Sequence, residues 1–145
     1  MKKVKFTVAI DAPREKVWNV LWNDDTYKKW TSVFSEGSKA VSDWKEGSKI
    51  HFLDANNNGM YSMISKYVDN ETMNFTHIGN IKNGEEQPQD ETTQSWSGCT
   101  ENYLLTDASG GTLLSVEMDM TEEFINYFNE KFPLALDFVK KLAEA

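Results

Sequence analysis

Cysteine is nearly missing from this chain: Cys99 stands alone among 145 residues, so no internal disulfide can close. That usage fits a reducing compartment. Histidine is almost as scarce, and His51 and His77, far apart in the sequence and sharing a single thiol, do not make a zinc site. No apolar run approaches the length of a membrane span. The opening MKKVKFTVAI imitates a signal peptide, but Lys5 interrupts an apolar stretch that is already too short. A cytoplasmic protein without membrane insertion is expected. Positive charge is in short supply too: 15 Lys and Arg face 23 Asp and Glu, for a net charge of −8. A polyanion such as nucleic acid would be repelled, and no basic cluster overrides this. There is no P-loop and no dinucleotide-binding glycine motif, and no serine stands in a nucleophile elbow. The sequence demands no metal and no cofactor.

What remains is the composition of a folded globular chain, 39% hydrophobic and 26% charged. Its length suits one domain over 1–145 with an ordinary core. Val4, Phe6, Val8 and Ile10 alternate with polar neighbours, which predicts a strand with one buried face. Asp11, Pro13 and Glu15 then suit a helix start, and Val17, Trp18, Leu21 and Trp22 form its apolar stripe. The triplet NDD ends that helix and can cap a short second one finishing near Trp30.

Strands follow. KAVSDW reads as an edge strand, and GSKIHFLD places Ile50 and Phe52 on one face with His51 on the other. MYSMISKYV and TMNFTHIG read as a hairpin around 69–71; pairing Val68 with Met73 would set Ile64 opposite His77. Residues 79–93 are polar and turn-rich, which predicts a long loop, either a mobile lid or disordered. SWSGCTENYLLTDASGGTLLSVEMDM reads as a long hairpin turning at DASGG, where SGGT is a turn rather than a phosphate cradle. On it, Leu114, Val116, Met118 and Met120 share a face, and so do Cys99, Glu101, Tyr103 and Leu105. A bulge within SWSGCTEN would turn Glu101 to solvent instead. A last helix carries Phe124, Phe128, Phe132, Leu136, Val139 and Leu142 at helical spacing, and Pro133 must kink or split it. The order is strand, two short helices, six strands, long helix: an α+β chain with one sheet face covered.

APREKVW, Trp30, GSKIHF, MISKYVDNETMNFTH, ENYLLTDASGGTLLSVEM and DFVKKLAE, in that order, resemble the START-like superfamily. Within it they are most similar to the family of activator of heat-shock-protein-90 ATPase homologues. The resemblance spans nearly the whole chain, although each motif alone is short. It implies a helix-grip fold, a curved seven-stranded antiparallel sheet around the C-terminal helix, with a cavity between them. The acidic segment 79–93 and the pair Phe132-Pro133 depart from the family pattern, and both bear on the cavity mouth.

With a cavity in that place, periodicity points its lining to Ile50, Phe52, Ile64, Phe75, His77, Glu101, Tyr103, Met118 and Met120 from the strands. From the helices it points to Phe34, Phe124, Phe128, Phe132 and Leu136. Trp18 and Trp22 are expected to brace the first helix against the sheet, and the resemblance puts Trp30 at the cavity entrance. A carboxylate at Glu101 must find donors or face water there. Glu101, His77 and Tyr103 are the candidate catalytic residues, although the expected registers set His77 nearer Ser95 than Glu101. Three functions stay open: binding a small hydrophobic or aromatic molecule, acid–base catalysis of polyketide cyclase or hydrolase type in the same cavity, and, from the family name, an interaction module acting on a chaperone ATPase.

Overall fold

The computed structural model describes residues 2–145. Strand β1 (Lys2–Ile10) leads into helices α1 (Arg14–Trp22) and α2 (Asp24–Thr31). Strands β2 (Lys39–Ser42), β3 (Lys49–Leu53), β4 (Gly59–Val68) and β5 (Thr72–Lys82) follow, then the two-residue β6 (Glu85–Glu86) and a single helical turn, α3 (Glu91–Gln94). Strands β7 (Thr100–Ala108) and β8 (Gly111–Met120) complete the sheet, and α4 (Glu122–Glu144) ends the chain. The antiparallel order is β1-β8-β7-β5-β4-β3-β2, with β6 hanging off β5. The seven expected strands are therefore present, and the architecture is α+β with the helices on one sheet face.

The helix starts follow local chemistry. Asn23 ends α1 and caps α2, its side-chain oxygen accepting from the Asp25 amide at 3.1 Å. Pro13 is the N-cap of α1, with no side-chain cap; the Asp11 carboxylate does not take that part. The Asp11 backbone amide instead donates to Glu144 at 2.8 Å, and Lys140 reaches the Ala9 carbonyl at 2.9 Å, so the end of α4 is tied to the β1–α1 link. Pro133 neither splits nor ends α4, which runs through it as one 23-residue helix. Its fully buried residues, Phe132, Ala135, Leu136, Val139 and Ala143, all lie from Phe132 onward. They meet Ile10, Val17 and Leu21 and the inner face of β7 and β8 in one core. At roughly 1.5–3 kcal/mol per large apolar side chain, this half of α4 is a main source of stability.

Two β-bulges shape the sheet centre and correct the expected hairpin. Val68 pairs with Thr72, and Ile64 lies opposite Phe75, not His77. Ser65 is the extra residue on β4, between the Ile64–Phe75 and Lys66–Asn74 pairs. Ile78 is the extra residue on β5, between Ser62–His77 and Tyr61–Gly79. Since strand faces alternate, each insertion swaps inside for outside. Past Ile78, Asn80 therefore shares the inward face with His77. The segment 79–93 is also not one long loop: β5 continues to Lys82, turns at Asn83-Gly84, pairs back through β6 and enters α3. Glu86 holds this fold-back to β3, accepting from Lys49 at 2.9 Å and bonding His51 Nε2 at 2.8 Å.

Candidate functional site

Sheet and helices separate beyond Phe132 and enclose a cavity of about 620 Å³ that opens to solvent. Its floor comes from strand residues: Phe52 on β3, Met60 on β4, Phe75, His77 and Asn80 on β5, Glu101 and Tyr103 on β7, Met118 and Met120 on β8. Its roof comes from Trp22 at the end of α1, from Tyr27, Trp30 and Thr31 on α2 with Phe34 just beyond, and from Phe124, Tyr127, Phe128 and Phe132 on α4. Rings meet edge to face across the inner end, with Trp22 4.9 Å from Tyr103 and 5.5 Å from Phe75 between centroids. Phe132 stacks on Phe6 at 5.0 Å and packs against Phe34 at 5.3 Å, closing the space where α4 enters the core. Phe124 and Tyr127 are 51% and 40% exposed and form the lip.

Most of the anticipated lining is thus on the wall, with three exceptions. Ile50, Ile64 and Leu136 are fully buried and lie in the core, not on the cavity surface. Periodicity assigned their face correctly and overreached on depth. The tryptophans divide differently from expectation. Trp18 is packing, edge-on to Tyr67 at 5.6 Å. Trp22, expected to brace, is part of the wall, and its buried indole N–H has no hydrogen-bond partner among the described residues. Trp30, expected at the entrance, is deep in the roof at 2% exposure, donating from Nε1 to the Leu21 carbonyl at 3.1 Å. That bond joins α1 and α2 into one unit. Tyr27 and Asn80 were missed. Tyr27 lies three residues before Trp30 on the same helix face, which was a legible signal; Asn80 needed the bulge.

Polar chemistry gathers on the floor. Glu101 points inward, its side chain 17% exposed. Its Oε2 accepts the Tyr103 hydroxyl at 2.5 Å, and its Oε1 stands 3.3 Å from His77 Nε2. The separation of His77 from Glu101 inferred from the sequence is therefore wrong. The register of β7, which begins at Thr100, against β5 sets Glu101 opposite Phe75 and brings the two together, with the His77 amide bonded to the Cys99 carbonyl at 2.9 Å. Behind the imidazole, Nδ1 is 2.7 Å from the fully buried Ser62 hydroxyl. Burial, and after it the charge of Glu101, drives the Tyr103 phenol well above its ordinary pKa, and the same two causes raise that of Tyr27.

Toward the β1 side, Asp119 accepts from the Thr100 amide and hydroxyl, both at 3.0 Å, and from Lys3 at 3.1 Å. Burial opposes its ionisation, but these donors outweigh it and hold the carboxyl below its ordinary value. Burial, then the Asp119 charge, pushes the Cys99 thiol up, away from the reactive thiolate. Among the described residues no three His, Cys, Asp or Glu converge as a metal site would require. No helix is long and apolar enough to cross a membrane. Chemically, the floor offers a carboxylate flanked by an imidazole and a phenol, facing an aromatic hollow.

A curved antiparallel sheet closed over a long C-terminal helix, with an aromatic cavity left between them, defines the START-like class of proteins. The chain belongs to the family of activator of Hsp90 ATPase homolog 1-like proteins, whose model matches residues 11–143. Similar solved structures include the Aha1 dimer from Colwellia psychrerythraea, at 23% identity and a TM-score of 0.76 over 99% of this chain and 97% of that one. Protein ChR145 from Cytophaga hutchinsonii matches at 22% identity and 0.73, over 99% and 94%. DynU16, a putative protein of the dynemicin biosynthetic locus, matches at 10% identity and 0.73; this chain covers 48% of it. At such identities the likeness bears on fold alone. Among curated proteins nothing matches.

Proposed function

We propose that this chain binds a small, largely apolar or aromatic molecule in the cavity between sheet and α4, oriented by Glu101, His77 and Tyr103. The supporting observation is the cavity itself. Its volume of about 620 Å³ falls in the range of small-molecule sites, and rings on both walls surround one convergent polar group. Native mass spectrometry of protein purified from its own host should find a retained molecule, and a hydrophobic fluorophore should bind saturably and be displaced by it. No retained mass together with no saturable binding would remove the reading.

A second reading, acid–base catalysis on the bound molecule, draws support from the 3.3 Å approach of His77 to Glu101 beside the Tyr103 hydroxyl. It predicts that the retained molecule changes mass on incubation with fresh protein. Recovery of the molecule unchanged would leave binding alone. The chaperone ATPase activity in the family's name is not carried over, since the relatives above speak to fold only.

A further inference from the structure

Charge and geometry on the cavity wall point to the ligand's chemical class. We infer that it carries a protonated amine on an aromatic or apolar body, and that Glu101 and Tyr27 receive the ammonium. The inference rests on the binding reading above.

Three carboxylates line the cavity, Asp54, Glu101 and Asp119, and among the described residues no lysine or arginine does. Two of the three are already engaged. Asp119 has Lys3 and Thr100, and Asp54 accepts the Asn56 and Asn58 amides at 2.8 and 3.0 Å. Glu101 differs: its partners are the Tyr103 hydroxyl and the His77 ring, with no lysine or arginine among them. Each of its oxygens holds one donor and has a lone pair to spare. A carboxylate with no lysine or arginine beside it, in a ring-lined hollow, attracts a cation and repels an acid.

Tyr27 is the independent second observation. It is nine-tenths buried on the roof, and its hydroxyl has no hydrogen-bond partner among the described residues yet stays open to the cavity. Tyr27 and Glu101 line the same cavity. A buried hydroxyl left unpaired in the same hollow as a carboxylate is matched by a ligand donor with several protons. Aromatic rings such as Trp22 and Phe75 also line the hollow, and a cation over a ring face is stabilised further.

The test compares three probes sharing one indole body: tryptamine, the neutral alcohol tryptophol, and indolepropionate, each titrated calorimetrically at pH 7 into the full chain. Tryptamine should bind at least about tenfold more tightly than indolepropionate. In Glu101→Gln that ratio should fall to within about threefold. Tyr27→Phe, which keeps the ring and its packing, should weaken tryptamine about three- to tenfold. It carries the test if the Gln variant does not fold. Indolepropionate binding as tightly as tryptamine, or a ratio unmoved by either variant, overturns the inference while leaving the cavity reading intact. Binding by none of the three overturns the inference and leaves the cavity reading to the retained-molecule and fluorophore measurements above.

Discussion

His77 Nε2 lies 3.3 Å from Glu101 Oε1, although the two are not cross-strand partners: Glu101 pairs with Phe75, and His77 sits one step diagonally away on the same face. With Ser62 behind the imidazole and Tyr103 beyond the carboxylate, a single hydrogen-bonded chain crosses β4, β5 and β7 on the cavity floor. Three strands thus hold one polar group in place.

The phenols of Tyr103 and Tyr27 should stay un-ionised until the protein unfolds. Their folded-state values are raised above 10.0, so their contribution to stability is complete below pH 10 and is lost as pH rises further. Absorbance at about 295 nm, followed through an alkaline titration, should show a late step coincident with loss of circular dichroism. The step should shrink in Tyr27→Phe and Tyr103→Phe. Ionisation of both phenols with the fold intact would contradict this.

Asp119 governs the acid side. Its carboxyl is held below the usual 3.8, so the stability it supplies is present above that value and fades as pH falls through the folded-state value. Asp119→Ala should cost about 1–3 kcal/mol near neutral pH, by leaving the Thr100 donors without their acceptor. Urea denaturation should find the gap between variant and parent narrowing below about pH 4. A gap constant down to pH 2 would refute the assignment.

Two glycines should respond differently to alanine. A Cβ at Gly59 would stand 1.8 Å from the Phe52 carbonyl oxygen, a backbone atom that cannot step aside. One at Gly79 would meet the Tyr61 ring at 2.7 Å, and that half-buried side chain can swing outward. Gly59→Ala is expected to cost about 1–3 kcal/mol and to disturb the Phe52 wall; Gly79→Ala should cost under about 1 kcal/mol. Thermal melts of the two variants decide it.

Phe124 and Phe132 separate lip from anchor. Phe124→Ser should change stability by no more than about 0.5 kcal/mol while weakening fluorophore binding, because the ring is half exposed at the mouth. Phe132→Ala should cost about 3–5 kcal/mol, since it removes a buried ring stacked on Phe6. Equal losses of stability would mean that the mouth is packed as firmly as the core.

How far the sequence could be read depended on where strands are regular. In β1 and β8 no residue is inserted, and the alternation of Val4 to Ile10 and of Leu114 to Met120 identified the buried faces correctly. Ser65 and Ile78 each add one residue without disturbing the apolar pattern nearby, so the β4–β5 register was misread, and with it Asn80; the His77–Glu101 contact turned on the β5–β7 register instead. Asn83-Gly84, both at positive φ, is a strong hairpin signal inside a stretch that polarity alone suggested was a loop. Apolar spacing identifies a face, but it cannot say whether Ile50 or Phe52 on that face touches solid core or empty space. That depends on the distance between sheet and roof, which no local pattern records.

Helix α4 behaves mechanically as a beam clamped at one end. Past Pro133 it is embedded by Leu136, Val139 and Ala143, whereas none of residues 122–131 is fully buried. Pro133 has no amide proton for the Asn129 carbonyl, so the ladder is weakest where the embedded part stops. Deuterium uptake should accordingly run faster over the overhanging first turns than over the fixed length, and passage in and out of the hollow needs only that overhang to flex, not the core to open.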